Sequence, residues 1–74
     1  MSVTVYMPLE DEGEESWRPV HAALVSDDVY EIEVDEVPRG EQWRFPPRSL
    51  VRCRDHVFED GHSGLLAYEQ VDER

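Results

Sequence analysis

From Val29 to Asp35 the chain alternates without interruption: Tyr30, Ile32 and Val34 are apolar, while Glu31, Glu33 and Asp35 are acidic. A repeat of two is that of a β-strand with one face against a core and the other in water, and it does not suit a helix, whose faces recur about every 3.6 residues. Residues 17–26 alternate in the same way, Val20, Ala22 and Leu24 against His21, Ala23 and Val25, and Asp27 and Asp28 supply a tight turn between the two runs. The pattern predicts a hairpin. Pro19 removes a ladder donor and so places the start of its first strand at an edge or a bulge.

The remainder divides by the same logic. Val3, Val5 and Met7 alternate with Thr4 and Tyr6 over residues 2–7, a strand that Pro8 is expected to end. Residues 8–16 read as an exposed acidic loop, because Glu10, Asp11, Glu12, Glu14 and Glu15 crowd around Gly13. Pro38 and Gly40 mark a turn, and Trp43 and Phe45 share one face of a short strand. Pro46 and Pro47 then forbid further pairing, with a single tight helical turn expected over residues 48–50. Val51 and Cys53 fall on one face of the next strand and Arg52, Arg54 and His56 on the other. Residues 58–64 are rich in turn formers, residues 65–71 make a last strand, and residues 72–74 are expected to fray. Six short strands and no helical run indicate one all-β domain over residues 1–74, a small five- to six-stranded barrel or β-roll. A domain of this size buries only about 60% of the surface its unfolded chain exposes, so its stability margin is narrow.

Arginine supplies all seven cations of a chain with eighteen acids and neither lysine nor asparagine, for a net charge of -11. Lysine and asparagine codons are rich in A and T, so a GC-rich bacterial genome explains the bias more simply than a halophile, in which high salt would screen the self-repulsion. The charge is segmented: residues 1–36 hold eleven acids against Arg18, residues 39–54 hold five arginines against Glu41, and residues 55–74 hold six acids against Arg74. An acidic surface repels phosphate backbones, which puts nucleic acid low among the partners. No apolar run approaches the ~18 residues of a membrane span, the first residues lack a basic region followed by an apolar one, and Cys53 has no second cysteine to pair with. The expectation is a soluble cytoplasmic protein with no membrane partner.

A first strand, a long acidic connection, a long hairpin and a proline-bearing tight turn feeding a closing strand resemble the Src-homology-3-like barrel, here with an extra final strand. The segments PLEDEGEESWRPV and EQWRFPPRSLVRC are also similar to those of small bacterial proteins of unknown function, with the pattern P-L, E-G, W-R-P-V and then W-x-F-P-P-G-x-x-V. The similarity spans most of the chain and implies a fold without an activity. At Arg48 this chain departs from the pattern, which has glycine there.

Catalytic and metal chemistry find little footing. Cys53, Asp55, His56, Asp60 and His62 carry metal-ligand side chains, but residues 53 and 56 of a regular strand point to opposite faces and paired short spacings are missing. Neither metal nor cofactor is expected. The same parity separates Cys53 from His56 as nucleophile and base, and Ser63 beside His62 has no evident orienting partner. Cys53 reads as a small buried hydrophobe, and an enzyme is the disfavoured class.

Trp43 and Phe45 are expected in the core. Trp17 and Arg18, following the acids Glu12, Glu14 and Glu15, form the candidate binding surface, since tryptophan and arginine are enriched among residues that dominate interfaces. Arg44, Arg48, Arg52 and Arg54 are expected to pair with Glu31, Glu33 and Asp35 across the sheet or with acids of a second subunit, Arg52 and Arg54 then lying in the interface of a symmetric homodimer. The function expected is a non-catalytic protein-interaction module. The alternative is an acidic inhibitor or immunity-type protein that blocks a basic partner, a charge-driven complex that steeply loses affinity as salt rises. The uncompensated acids also repel one another in the compact state. The melting temperature should therefore rise as ionic strength is raised to about 0.15 M, where the screening length is about 8 Å; a flat or falling thermal melt series would show that the charges are already paired.

Overall fold

The computed structural model describes residues 2–11 and 14–71, with the backbone alone for residues 11, 14 and 15. Five strands form: β1 (Ser2–Asp11), β2 (Glu14–Ser26), β3 (Val29–Ile32), β4 (Leu50–Val57) and β5 (Ser63–Val71). No helix occurs among the described residues, and so none long and apolar enough to cross a membrane. Each strand is antiparallel to the next, and four reversals bring the fifth strand back in the direction of the first. β5 therefore meets β1 in parallel, at Val5↔Leu65 and Tyr6↔Leu66, and the sheet closes on itself as a small all-β barrel in the order β1-β2-β3-β4-β5.

Alternation fills the interior. Val5 faces Val20 and Val3 faces Ala22 in the β1–β2 ladder, Ala22 faces Ile32, and Val51 and Cys53 come in from β4 and Ala67 from β5. Met7, Ile32, Val5 and Val51 are the largest side chains shut off completely from water. Phe45 joins this core and Trp43 packs half-buried against it. Leu24 is directed to the same face as Ala22 but lies beyond the filled part of the ring and is exposed, next to a register shift between Leu24 and Ser26.

Pro8 does not end β1, and the expected acidic loop over residues 8–16 is largely strand: pairing runs on from Pro8↔Trp17 to Asp11↔Glu14. Glu12 and Gly13 lie outside the described residues. The reason is strand parity. Successive residues turn their backbone groups to alternate sides, and Pro8 turns its own away from β2, where its carbonyl accepts from the Arg44 N–H (3.0 Å) and the Gln42 carbonyl accepts from the Glu10 N–H (2.7 Å). Its missing donor thus costs the β1–β2 ladder nothing. Pro19, opposite Tyr6, likewise faces away from β1, on the side where the His21 carbonyl accepts from Glu33 (2.9 Å) and where β3 no longer reaches. It occupies a free edge within a continuous strand and does not start one.

The short strand expected at Trp43 and Phe45 is absent; residues 41–49 make one bridge, Leu9↔Trp43, between two tight turns. In both turns the third residue is left-handed: Gly40 (φ 87) with Glu41 N–H donating to Pro38, and Arg48 (φ 64) with Ser49 N–H donating to Pro46. This is type II geometry, and it replaces the helical turn expected over 48–50. Arg48 holds a conformation suited to glycine, at a cost of roughly 1–2 kcal/mol, while its guanidinium reaches Asp35 (2.8 Å) and Glu31 (3.9 Å). β3 stops at Ile32, short of the Asp35 that the alternation suggested, although Glu33 keeps its bond to β2. The tail, residues 72–74, lies outside the described residues.

A second apolar cluster lies on the outer face of the ring. Phe58, the residue after β4, is buried there against Tyr6 (ring centroids 4.7 Å), Trp17 (5.1 Å), His56 (4.6 Å) and His62 (4.8 Å). Gly64 makes room for it: a Cβ at that position would lie 2.7 Å from the Tyr6 ring. Gly64→Ala is thus expected to push Tyr6 off Phe58 and to destabilise by about 1–3 kcal/mol, and in chemical denaturation the loss should shrink when Tyr6→Ala is also present. Additive losses would show that the two residues do not press on each other.

Candidate binding groove

The contact between β1 and β5 is confined to two residue pairs, after which the strands part. β1 leaves with β2 and residues 42–44, and β5 continues beside β4 alone. A register shift between Arg52 and Cys53 pairs Arg52 with Glu69 and Cys53 with Ala67, so Tyr68 is the extra residue of a bulge. Its ring lies under the Arg54 guanidinium, 5.0 Å from the centroid. Between the diverging strands opens a groove of about 510 Å3, lined by Pro8, Leu9, Glu10, Ser16 and Trp17 on one side and Arg54, His56, Leu66, Ala67 and Tyr68 on the other, with Arg44 beside Glu10. Pro8, Leu66 and Ala67 are the buried apolar members of a lining that also carries two aromatic rings, a histidine, two arginines, Glu10 and Ser16.

One carboxylate holds the near wall in place. Glu41 accepts from Arg18 Nε at both oxygens (2.7 and 2.6 Å), pairs again with Arg18 through its terminal nitrogen, and accepts from the Trp43 indole N–H (2.9 Å). The Arg18 hydrogen bonds, then that of Trp43, hold the Glu41 carboxyl below its usual range against the opposing effect of burial. The far end of the outer cluster is fixed by Asp60, which accepts from the His62 backbone N–H (3.1 Å) and lies 2.6 Å from His62 Nδ1. These contacts, the backbone one first, keep the Asp60 carboxyl low. With Nδ1–H donating to Asp60, Nε2 is left to accept from the Tyr6 hydroxyl at 3.2 Å.

Trp17 does line the groove, but half-buried and edge-on to Phe58, not as a free-standing anchor. Arg18 is engaged with Glu41 on the other face of β2. Of the acids placed with them, Glu12 and the side chains of Glu14 and Glu15 lie outside what the structure describes. Arg52 meets Asp28 (3.4 Å) and Glu69 (3.2 Å) of its own chain. Arg44 meets Glu10 (3.5 Å), and Arg48 meets Asp35 and Glu31, two of the three acids expected for these arginines. Arg54 has no carboxylate within ion-pair distance among the described residues and stacks on Tyr68 instead. Cys53 is buried in the core, and burial, with the Asp28 charge second, pushes its thiol up to about 12. A thiol so shifted is protonated at neutral pH and is no nucleophile. His56 lies on the opposite face, 5.9 Å from the Trp17 ring. Among the described residues no group of three or more His, Cys, Asp or Glu is placed to hold a metal ion.

Phe58 and Leu66 were not among the residues singled out by the sequence. A glycine inside an alternating run, Gly64, was the available sign that another residue approaches closely there. No family model matches the chain, and no curated protein or solved structure is significantly similar to it.

Because the folded Glu41 carboxyl sits below its ordinary value, its contribution to stability is complete above about pH 4.5 and is lost as pH falls through the lower folded value. Glu41→Gln should therefore melt lower than wild type at pH 7, and the two curves of melting temperature against pH should converge in acid. Parallel curves would mean that the Arg18 contact adds nothing to stability.

Proposed function

We propose that this protein is a non-catalytic protein-interaction module that receives an extended segment of a partner in the groove between the β1–β2 hairpin and β5. The observation that carries the reading is the groove itself, an open cleft with tryptophan contributed by β2 and tyrosine by β5, beside buried Pro8 and Leu66. Aromatic side chains on a rigid scaffold offer large contact area at low entropic cost, and they dominate the energetics of peptide and protein interfaces. The closed five-strand meander with a long first hairpin supports the likeness to Src-homology-3-like barrels, in which aromatics beside that hairpin often form a groove for extended peptides. The rigidity of the walls supports the reading too, because Glu41 on one side and Phe58 on the other fix them before any ligand arrives.

Selection from a random peptide library displayed on phage tests this. Peptides selected on the wild type should lose at least about tenfold in affinity for Trp17→Ala and for Tyr68→Ala, and should bind Leu24→Ser, at the other end of β2, as they bind the wild type. Selection that yields no binder, or binders indifferent to both aromatic substitutions, would overturn the reading.

A further inference from the structure

We propose that the groove takes an acidic segment, which pairs as an added strand along the open edge of β5 and sets a carboxylate on Arg54. This rests on the interaction reading above and adds the chemistry of the ligand. The edge follows from the topology. β4 accompanies β5 from Ser63 to Val71, whereas β1 covers only Leu65 and Leu66 on the other side. From Ala67 to Val71 the side away from β4 has no ladder partner among the described residues. Unpaired N–H and C=O groups in a row are a template for another strand, and proteins ordinarily blunt them with proline or charge. The free edge of β2 carries Pro19, which cannot donate; the stretch Ala67–Val71 contains no proline. The edge that borders the groove has no proline; its one acid, Glu69, is paired with Arg52 (3.2 Å), and its one irregularity is the bulge at Tyr68.

The charge follows from the ion pairs. Among the described arginines, Arg18, Arg44, Arg48 and Arg52 each have a carboxylate within 4.0 Å. Arg39 stands in an exposed turn, which leaves Arg54 as the arginine of the groove with no ion pair to a described acid. Its guanidinium carbon lies 5.0 Å from the Tyr68 ring centroid, within cation–π range, and a guanidinium over a ring face can still donate to a carboxylate at its edge. Arg44 lies across the groove, its guanidinium in an exposed contact with Glu10 (3.5 Å). An added strand presents alternate side chains to opposite faces; Arg54 and Leu66 are cross-strand partners and so share the outer face, and the set turned to that face carries the carboxylate. Distant acids of the protein are screened within about 8 Å at physiological ionic strength, so a contact pair at Arg54 outweighs the net charge.

Three fluorescein-labelled hexapeptides of alternating valine with glutamate, glutamine or lysine distinguish the possibilities by anisotropy. The glutamate peptide should bind on the order of tenfold tighter than the glutamine peptide, Arg54→Gln should abolish that preference, and the amides of Ala67–Val71 should gain protection from hydrogen exchange on binding. N-methylation of alternate amides, in the frame that faces β5, should remove binding. Equal affinity for glutamate and glutamine, or preference for lysine, would overturn the carboxylate assignment and leave the interaction reading intact. Binding without protection at Ala67–Val71 would overturn the strand addition. If none of the three binds while library-selected peptides do, the inference fails alone; if neither binds, the interaction reading fails with it.

Discussion

The carboxylate of Glu41 is the contact on which both the end of the ring and the wall of the groove depend. Residues 41–49 form no strand, yet they must stay against β1 for Phe45 to reach the core and for Arg44 to stand over the groove. Two backbone hydrogen bonds to β1 align the segment. Glu41 then joins it to β2 through Arg18 and to its own Trp43 through the indole N–H. An exposed ion pair by itself contributes little to stability. A carboxylate that satisfies a guanidinium and an indole together, next to a half-buried tryptophan, contributes by fixing where an irregular segment lies.

Much of this architecture was legible because strands with one wet face announce their period. The alternation of Val3, Val5 and Met7, of Val20 and Ala22, and of Val51 and Cys53 gave the interior, and Asp27–Asp28 gave the turn between β2 and β3. The errors came from reading single residues by their average behaviour. Proline lacks a donor, so Pro8 suggests a strand end, but what its backbone meets depends on a partner, residues 42–44, that local sequence does not disclose. The density of acids after it suggests a loop, although the β1–β2 pairing runs on to Asp11↔Glu14. Trp43 and Phe45 show the converse: their spacing mimics a strand, while both enter or approach the core from an irregular segment.

The groove was harder to read because it belongs to the outer face, where a repeat of two predicts polar residues. Tyr6, Phe58 and Leu66 break that rule together, and no one of them is informative alone. What joins them is the early separation of β1 from β5, a property of ring closure that appears only once five strands are assembled. Arg54 is visible as a member of a basic segment, and that no described acid pairs with it emerges only once the neighbouring arginines are placed on theirs.

The position of the lone cysteine has a consequence for the surroundings in which this fold holds. An isolated thiol in a short chain reads as the mark of a reducing compartment, since an exposed one would be oxidised or would crosslink elsewhere. Cys53 is only 4% exposed, and its thiol stays protonated at neutral pH, so oxidants that act on thiolates meet neither the reactive form nor a route to it. With one cysteine the chain can form no disulfide within itself, so reductants have no internal crosslink to open, and closure of the barrel rests on its ladders and core alone.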